Sequence, residues 1–268
     1  MSIDPSATVH PTALVQEGAV VGPECSVGPF SIVGSKVRLG ARVILKSHVV
    51  IEGDTSIGDE SVIWPFASIG HQPQDLKFGG EESQLLIGAR NMIRESVTMN
   101  PGTSGGGLIT RVGDDNLFMV NVHVGHDCQV GNHVVIANNV SLAGHVHVAD
   151  RVVIGGHSGI HQFVRIGQGA MIGVLSAVLA DVIPYGTVTG DAAKLSGLNL
   201  VGLKRRDTQK SDMNGLRTAY KSLFFGEGTL KERASDMKSQ DVQNPLVNDV
   251  LDFVLGQSDR SFCRPEQP

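Results

Sequence analysis

Apolar residues recur at every sixth position along most of the chain. One frame runs from Ile3 to Ile69 and resumes from Ile87 to Met99, and a shifted frame runs from Val112 to Val178. A glycine often follows the apolar residue, as in Val21-Gly22. This period matches neither an amphipathic helix nor the simple alternation of one strand. It predicts short strands separated by bends.

Three such hexapeptides make one coil of 18 residues. In each hexapeptide the apolar residue is expected to point inward, and the glycine is expected to supply conformational freedom at the corner. Coils then stack at the strand spacing of about 4.8 Å. An ordinary β-sandwich is the alternative, but its strands do not keep one strict period over so long a stretch. We therefore predict a mainly β protein, with a parallel β-helix of hexapeptide repeats over residues 1–190.

Two insertions, near residues 70–86 and 100–111, interrupt the repeat. We call the stretch from Gly70 to Leu86 the first loop and that from Asn100 to Arg111 the second loop. A regular solenoid needs no insertions, so both are candidates for function, and surface excursions without function are the alternative. The second loop is rich in glycine, but no Gly-Lys-Ser/Thr follows, which excludes a phosphate-binding loop of that type.

The six-residue pattern stops after Val178, and from about Leu195 the apolar spacing becomes helical. Thr229 is a candidate N-cap, and Asn244-Pro245 is a typical helix start. These features predict a small α-helical C-terminal domain over residues 191–268 that covers the open end of the β-helix.

Composition narrows the functional classes. The net charge of −5 does not favour nucleic acid or an anionic membrane as the main partner. The 3 cysteines are widely spaced, which argues against a disulfide framework or a thiolate zinc site. No apolar run approaches the roughly 20 residues of a membrane span, and the N-terminus lacks a signal-peptide pattern. We expect a cytoplasmic protein without a membrane span.

Histidines are concentrated in the second half of the repeat, and the 18-residue coil predicts how they stack. His126 is expected one coil below Gly144, which is one coil below Gln162, and Asp127 is expected below His145. A neutral imidazole can accept a proton from a hydroxyl that attacks a thioester, while a neighbouring carboxylate orients the ring. A glycine in the next coil lets a backbone N–H reach the developing oxyanion.

Two other interpretations of the histidines remain open. His123, His126 and His145 could bind zinc between subunits, as in the gamma-class carbonic anhydrases. Alternatively, the histidines decorate the polar edge of a non-catalytic scaffold.

Longer motifs are spread over nearly the whole chain, namely His10-Pro11-Thr12-Ala13, Leu45-Lys46-Ser47-His48-Val49-Val50, Gln74-Asp75-Leu76-Lys77, Ile93-Arg94-Glu95-Ser96-Val97-Thr98, His126-Asp127-Cys128, Leu142-Ala143-Gly144-His145, His161-Gln162-Phe163 and Gly202-Leu203-Lys204-Arg205-Arg206. Together they resemble the UDP-N-acetylglucosamine 3-O-acyltransferases, which begin lipid A (lipopolysaccharide) biosynthesis. The resemblance implies a left-handed β-helix and a homotrimer with active sites between subunits. It further implies transfer of a 3-hydroxyacyl group from acyl carrier protein to UDP-N-acetylglucosamine or its 3-amino analogue, without a cofactor or metal.

The resemblance also implies residue roles. His126 would be the general base, Asp127 its partner and Gly144 the donor to the oxyanion. Substrate contacts would be made by Asp75, Lys77, His123, His145, His161, Gln162, Asn199 and Arg205. Of these, the two first-loop residues would hold the sugar and phosphates, and the last two would lie near the nucleotide. The first loop is expected to complete a neighbouring subunit's cleft.

Three positions depart from the family pattern. Asn100 replaces a common histidine and Val201 replaces an acidic residue, and both bear on whether the acceptor carries a hydroxyl or an amine. Val174 replaces a glycine that leaves room for the acyl tail. We therefore expect an acyl chain shorter than fourteen carbons. The nearest rival function is the N-acyltransferase of the same pathway, but it has an extra N-terminal domain, whereas here the hexapeptides begin at Ile3.

Overall fold

The computed structural model describes residues 2–266, of which residues 2–198 form a three-sided parallel β-helix with one short antiparallel pair at its end. Each side is one sheet, which we call face A, face B or face C. Face A contains β1 (Ser2–Ile3), β4 (Val20–Val21), β7 (Arg38–Leu39), β10 (Asp54–Ile57), β13 (Gln84–Ile87), β16 (Ile109–Val112), β19 (Gln129–Val130), β22 (His147–Val148) and β25 (Arg165–Ile166).

The other two faces are built in the same way. Face B contains β2 (Thr8–Val9), β5 (Ser26–Val27), β8 (Ile44–Leu45), β11 (Val62–Ile63), β14 (Met92–Ile93), β17 (Leu117–Phe118), β20 (Val135–Ile136), β23 (Val153–Ile154), β26 (Met171–Ile172), β28 (Gly186–Thr189) and β29 (Lys194–Leu198). Face C contains β3 (Leu14–Val15), β6 (Ile32–Val33), β9 (Val50–Ile51), β12 (Ser68–Ile69), β15 (Thr98–Met99), β18 (His123–Val124), β21 (Ser141–Leu142), β24 (Gly159–Ile160) and β27 (Ala177–Val178).

The strand register confirms the predicted coil. Leu14 pairs with Ile32 and His123 pairs with Ser141, each 18 residues along the chain. The second residue of nearly every two-residue strand points inward, and side chains such as Ile51 are fully buried. The apolar residue of each hexapeptide therefore builds the core, as the period predicts, and the burial of this aliphatic column is the main force that holds the coils together.

The glycines after the inward residues have a different role from the one expected. A Cβ at Gly22 would lie 2.4 Å from the Gly40 carbonyl oxygen, and one at Gly28 would lie 2.7 Å from the Lys46 carbonyl oxygen. Neither glycine has a positive φ. The left-handed conformation occurs two residues later, at Glu24 (φ 55°) in the first case. The glycines are thus required because successive coils pack closely, and the corner conformation is adopted by other residues.

The three edges of the β-helix carry different side chains. We name them by the faces that they join: edge AB, edge BC and edge CA. Both insertions leave the helix at edge CA, because each connects a strand of face C to the next strand of face A. The two loops therefore lie on the same edge, in the coils directly below His126 and Asp127.

Within residues 199–266, four helices follow the β-helix: α1 (Leu200–Lys204), α2 (Lys210–Phe225), α3 (Leu230–Lys238) and α4 (Pro245–Leu255). The helical region begins later than predicted, because Lys194–Leu198 forms β29, which pairs antiparallel with β28. Thr229 caps α3 in a capping box, and the Asn244 side chain caps α4, both as predicted. Within residues 2–266, no helix combines the length and the apolar content that a bilayer crossing requires.

Candidate active site

A cleft of about 590 Å³ lies on face C, next to edge CA. Its floor is formed by the outward side chains of three stacked strands, and the first loop forms one wall. The lining residues are Gln74, Asp75, Thr98, Asn100, Asn121, His123, Gly125, His126, Ser141, Ala143, Gly144 and Gln162. The cleft thus brings together the first loop and the histidine-rich coils that the sequence singled out.

His126 and Asp127 form a hydrogen-bonded pair at this cleft. The Nδ1 atom of His126 lies 2.8 Å from Oδ2 of Asp127. Because an ionised carboxylate only accepts hydrogen bonds, the neutral ring keeps its hydrogen on Nδ1 and its lone pair on Nε2. The Asp127 side chain is almost completely buried, with 1% of its surface exposed, whereas the His126 ring is partly accessible from the cleft. This arrangement suits a proton acceptor that works from Nε2.

Asp127 has further hydrogen-bond partners besides His126. Thr103 donates its backbone N–H to Oδ1 at 2.9 Å and its hydroxyl to Oδ2 at 2.6 Å. The Asp127 backbone, which has a φ of 60°, donates its own N–H to the Thr110 hydroxyl at 2.7 Å. Both threonines belong to the second loop. The glycine-rich insertion therefore holds the Asp127 carboxylate in place through hydrogen bonds.

Gly144 lies directly above the His126 ring. A Cβ at this position would be 2.5 Å from Nε2 of His126, so only glycine leaves the space free. The Gly144 N–H makes no hydrogen bond to any group in residues 2–266. Gly144 therefore leaves open space next to Nε2 of His126, and its N–H is free to donate to an oxyanion that forms there.

Two further imidazoles flank the pair, and burial keeps both neutral. Desolvation lowers the pKa of His123, and the neighbouring His126 lowers it further. Desolvation also lowers the pKa of His145, although the charge of Asp127 opposes the shift. His123 contacts the Thr98 hydroxyl at 2.8 Å, and His145 stacks on Phe163 with ring centroids 4.4 Å apart. Neutral rings can donate and accept hydrogen bonds to a sugar without adding charge.

Cys128 is adjacent to the pair but is unsuited to nucleophilic attack. Its side chain is fully buried, and desolvation raises the pKa of the thiol to about 12. A thiol with that pKa carries almost no thiolate near neutral pH. Cys128 is therefore not a candidate nucleophile in this cleft.

The zinc hypothesis named three histidines, but the structure assembles a different set. His126, Asp127 and His145 each offer one ligand atom, and these atoms lie within 4.8 Å of one another. His123 is instead hydrogen-bonded to Thr98. The carboxylate in the group already accepts hydrogen bonds from Thr103, so the site is arranged as a hydrogen-bonded pair rather than as an open ligand set.

The first loop reaches the cleft of its own chain. Gln74 and Asp75 line that cleft, so at these two residues the wall needs no neighbouring subunit. Lys77 is exposed, and its backbone N–H donates to Asp75 Oδ1 at 3.0 Å. The Asn100 side-chain amide anchors the loop by donating a hydrogen bond to the His71 carbonyl at 2.9 Å. Its buried Oδ1 has no hydrogen-bond partner within residues 2–266.

The remaining predicted site residues do not all lie in the cleft. Gln162 lines it, whereas His161 contacts the Arg260 guanidinium at 2.9 Å through Nδ1. Asn199 caps α1, because its side chain accepts from the Gly202 N–H, and Arg205 is the exposed C-cap of the same helix.

Two departures from the family pattern are exposed. Val174 lies in a turn with 67% of its surface exposed, and Val201 on α1 is 61% exposed. Neither side chain lines the cleft of its own chain.

Thr103 and Thr110 were not predicted as site residues, although the 18-residue spacing pointed to the loop that carries them. Residue 109 is 18 positions before Asp127, so the second loop enters the coil immediately beneath it. The hydroxyl residues at either end of that loop were therefore candidates to contact the carboxylate. The spacing alone does not say which of them turns inward.

Comparisons with known proteins show which family this chain resembles. Residues 181–263 match the family described as "Udp N-acetylglucosamine O-acyltransferase; Domain 2". Residues 109–144 match "Bacterial transferase hexapeptide (six repeats)".

Two similar sequences and two similar structures illustrate the likeness. An acyl-[acyl-carrier-protein]–UDP-N-acetylglucosamine O-acyltransferase from Paracoccus denitrificans is 55% identical over 204 residues, which are 76% of this chain and 77% of that protein. The protein of the same name from Methylobacterium radiotolerans is 53% identical over 205 residues, 76% of this chain and 75% of that one. The UDP-N-acetylglucosamine acyltransferase from Campylobacter jejuni superposes with a TM-score of 0.90 at 36% identity, covering 96% and 99% of the two chains. The one from Bacteroides fragilis gives a TM-score of 0.87 at 32% identity, covering 98% and 100%.

Proposed function

Because the chain belongs to the family of UDP-N-acetylglucosamine O-acyltransferases, we propose that it uses His126 as the general base for acyl transfer onto the nucleotide sugar. The protein is an acyltransferase that takes its acyl group from acyl carrier protein, and UDP-N-acetylglucosamine is its acceptor. The reaction is the first step of lipid A biosynthesis. A 3-hydroxyacyl donor and a cytoplasmic location are part of the proposal.

The geometry suggests direct transfer in two steps. Nε2 of His126 takes the proton of the 3-hydroxyl while that oxygen bonds to the thioester carbonyl carbon. The carbonyl oxygen becomes an oxyanion, which the Gly144 N–H is placed to receive. The carbon–sulfur bond then breaks, and the imidazolium returns its proton to the departing thiolate. Asp127 stabilises the imidazolium and fixes its orientation. General-base catalysis of this kind contributes typically about 10²–10⁴-fold.

A single observation carries the proposal: a His126–Asp127 pair lies below a free glycine N–H at the edge of a polar cleft. The test mixes the protein with a 3-hydroxyacyl carrier protein and UDP-N-acetylglucosamine or its 3-amino analogue. Mass spectrometry of the nucleotide product should show the added acyl group with one of the two acceptors. Release of the free fatty acid alone, with neither sugar acylated, would contradict the proposal.

The acceptor sugar would be held by the polar groups around the pair. Asp75, His123 and Gln162 lie in the cleft within reach of a sugar bound at His126. Lys77 is exposed on the same loop and would meet the phosphates. From the family resemblance we infer that Asn199 and Arg205 lie near the nucleotide and that His161 contributes a further position of the cleft.

We also propose a homotrimer, for which the outer surface of face B provides support. Seven successive strands of this face present an uncharged apolar side chain outward, in the order Ile44, Val62, Met92, Leu117, Val135, Val153 and Met171. Face A instead presents charged or polar groups such as Arg38, Arg111 and His147. A long apolar strip on one side of a β-helix is typical of a surface that packs against another copy.

The oligomeric state can be measured by size-exclusion chromatography with light scattering. We expect a mass three times that of the 28.4 kDa chain. Leu117→Glu would place a charge in the middle of the strip and should release monomers, whereas Gln129→Glu on face A should not. A monomeric wild-type protein would contradict the trimer.

A further inference from the structure

The second loop makes the tightest set of contacts to the proposed catalytic pair. Thr103 donates hydrogen bonds to both carboxylate oxygens of Asp127, from its backbone N–H to Oδ1 at 2.9 Å and from its hydroxyl to Oδ2 at 2.6 Å. His126 shares Oδ2 at 2.8 Å. Thr103 and Asp127 are each 3% exposed, so water does not compete for these bonds. The plane of the carboxylate is therefore fixed by one residue of an inserted loop.

The loop is itself held in place by its own backbone and by the first loop. The Thr103 carbonyl accepts from Gly106 N at 3.1 Å and from Leu108 N at 2.9 Å, which closes a short turn. The Ser104 N–H donates to Glu81 Oε1 at 2.9 Å. These bonds set the position of the Thr103 side chain before any substrate is bound.

Two neighbouring glycines in the loop differ in their distance from Asp127. A Cβ at Gly106 would lie 2.1 Å from Cγ of Asp127, which no real structure tolerates. A Cβ at Gly105 would meet nothing closer than the Thr103 hydroxyl at 3.8 Å. Neither glycine has a positive φ, so alanine suits the backbone at both. The loop needs glycine at 106 because it packs directly against the carboxylate.

We infer that Thr103 is a positioning residue for the His126–Asp127 pair, and that Gly106 provides the space for its contact. The inference rests on the proposed function. With both donors in place, Oδ2 points at Nδ1 of His126, which keeps the lone pair of Nε2 directed at the acceptor hydroxyl. Without the Thr103 hydroxyl, Oδ2 keeps His126 as its one hydrogen-bond partner among the described residues, and the orientation of the carboxylate is less firmly fixed. A misplacement of about 1 Å can cost roughly 100-fold in rate.

The first experiment compares Thr103→Val with Thr103→Ser. The valine variant should lower kcat by roughly 10-fold or more while the KM for the nucleotide sugar stays within about 3-fold, because Thr103 does not line the cleft. Serine keeps the hydroxyl and should restore most of kcat. Thr55→Val removes another buried threonine hydroxyl, which bonds to the Glu52 carbonyl, and should leave kcat unchanged. A Thr103→Val enzyme with wild-type kcat, or with only a raised KM, would overturn the inference.

The glycine pair gives an independent test if Thr103→Val fails to fold. Gly106→Ala should lower kcat by a similar factor, because its methyl group displaces the loop or the carboxylate. Gly105→Ala, one residue away in the same turn, should behave like the wild type. Equal activity of the two variants would overturn the inference, and thermal unfolding of both shows whether the fold is retained.

A double-mutant cycle separates positioning from a general effect on the fold. If Thr103 acts through Asp127, then Thr103→Val should cause no further loss of kcat in an Asp127→Asn background. Independent, multiplicative losses would mean that Thr103 acts elsewhere. His126→Ala is assayed beside these variants. Full activity of His126→Ala would refute the proposed function, whereas an inactive His126→Ala beside a fully active Thr103→Val would refute only the role of Thr103.

Discussion

Two aspartates on different edges of the β-helix start from nearly the same geometry. Asp115 on edge AB and Asp127 on edge CA both have a φ of 60°. Each has a histidine one coil above, with Nδ1 of His133 at 4.0 Å from Asp115 and Nδ1 of His145 at 3.8 Å from Asp127. The repeat therefore builds the same aspartate–histidine stack twice. Only one of the two stacks lies at the cleft.

The two aspartates differ in how far other residues shield them from solvent. The Asp115 side chain is 30% exposed and pairs with Arg90 at 2.7 Å, within a column of alternating charges that also includes Glu60 and Arg42. The Asp127 side chain is 1% exposed, is held by Thr103 and has His126 beside it. An exposed ion pair contributes little to stability because water screens it. A buried carboxylate with three hydrogen-bond donors orients its partner firmly. The insertion, rather than the repeat, turns an edge into a candidate active site.

The largest expected effect is that of His126→Ala. Removal of the proposed base should lower kcat by about 10² or more while the protein keeps its fold and its thermal midpoint, because the His126 ring is partly accessible at the cleft rather than part of the core. His133→Ala, on the matching stack of edge AB, is the control and should retain wild-type turnover. Steady-state acyl transfer, followed by the mass of the product, measures the turnover of both variants. Similar kinetics for the two variants would contradict a special catalytic role for edge CA.

The next effect compares the two aspartates directly. Asp127→Asn should lower kcat by roughly 10- to 100-fold, because an amide cannot stabilise the imidazolium and competes for the wrong ring tautomer. Asp115→Asn should leave kcat unchanged and should barely change the free energy of unfolding, since it weakens an ion pair that water screens. Kinetics and urea denaturation of both variants provide the measurements. A lower kcat in Asp115→Asn would show that edge AB also contributes to catalysis, which would contradict the comparison.

Much of this geometry could be predicted from spacing alone. The 18-residue coil places Gly144 above His126 and His145 above Asp127, and the structure has both in those positions. The period works because stacked strands hydrogen-bond in fixed register, so one sequence offset becomes one spatial offset. The same arithmetic applies to every coil without an insertion, and the six-residue period identifies the core positions on both sides of each insertion.

The loops and the corners were not predictable in the same way. No period governs residues 100–111, so the contact between Thr103 and Asp127 depends on a turn that only the structure shows. The predicted role of Gly22 was wrong because a glycine required for close backbone packing cannot be distinguished in a sequence from one required for backbone freedom. Residues 195–198 were expected to be helical, but they pair with β28 and form a strand, which is a tertiary effect that overrides local spacing.

A smaller effect concerns the donor rather than the base. Val174 is an exposed side chain that we expect to shorten the slot for the acyl tail. Val174→Gly should therefore raise kcat/KM for a fourteen-carbon 3-hydroxyacyl carrier protein by about 10-fold or more relative to a ten-carbon donor, since a single methylene in an apolar pocket is worth about 1–3 kcal/mol. Val20→Gly, which removes an exposed valine on face A, should leave the ratio unchanged. A wild-type preference for the fourteen-carbon donor would contradict the idea.

The smallest effect is a dependence of stability on pH. Burial lowers the pKa of His123 and of His145, so the folded protein binds fewer protons than the unfolded chain just below the ordinary histidine pKa of about 6.5. Their contribution to stability is complete above that pH and is lost as the pH falls towards the lowered values. The thermal midpoint should decrease from pH 7 towards pH 5, and less steeply in His123→Gln. An equally steep decrease in that variant would contradict the assignment.

The central claim is that Nε2 of His126 takes the proton of the attacking hydroxyl. The most direct measurement is the single-turnover rate of His126→Ala in a series of imidazole concentrations, with the pH varied at each. The account predicts that transfer is slow without imidazole and that the rate rises with the concentration of neutral imidazole, while the wild type does not respond. A His126→Ala protein that transfers the acyl group at the wild-type rate without imidazole would contradict it.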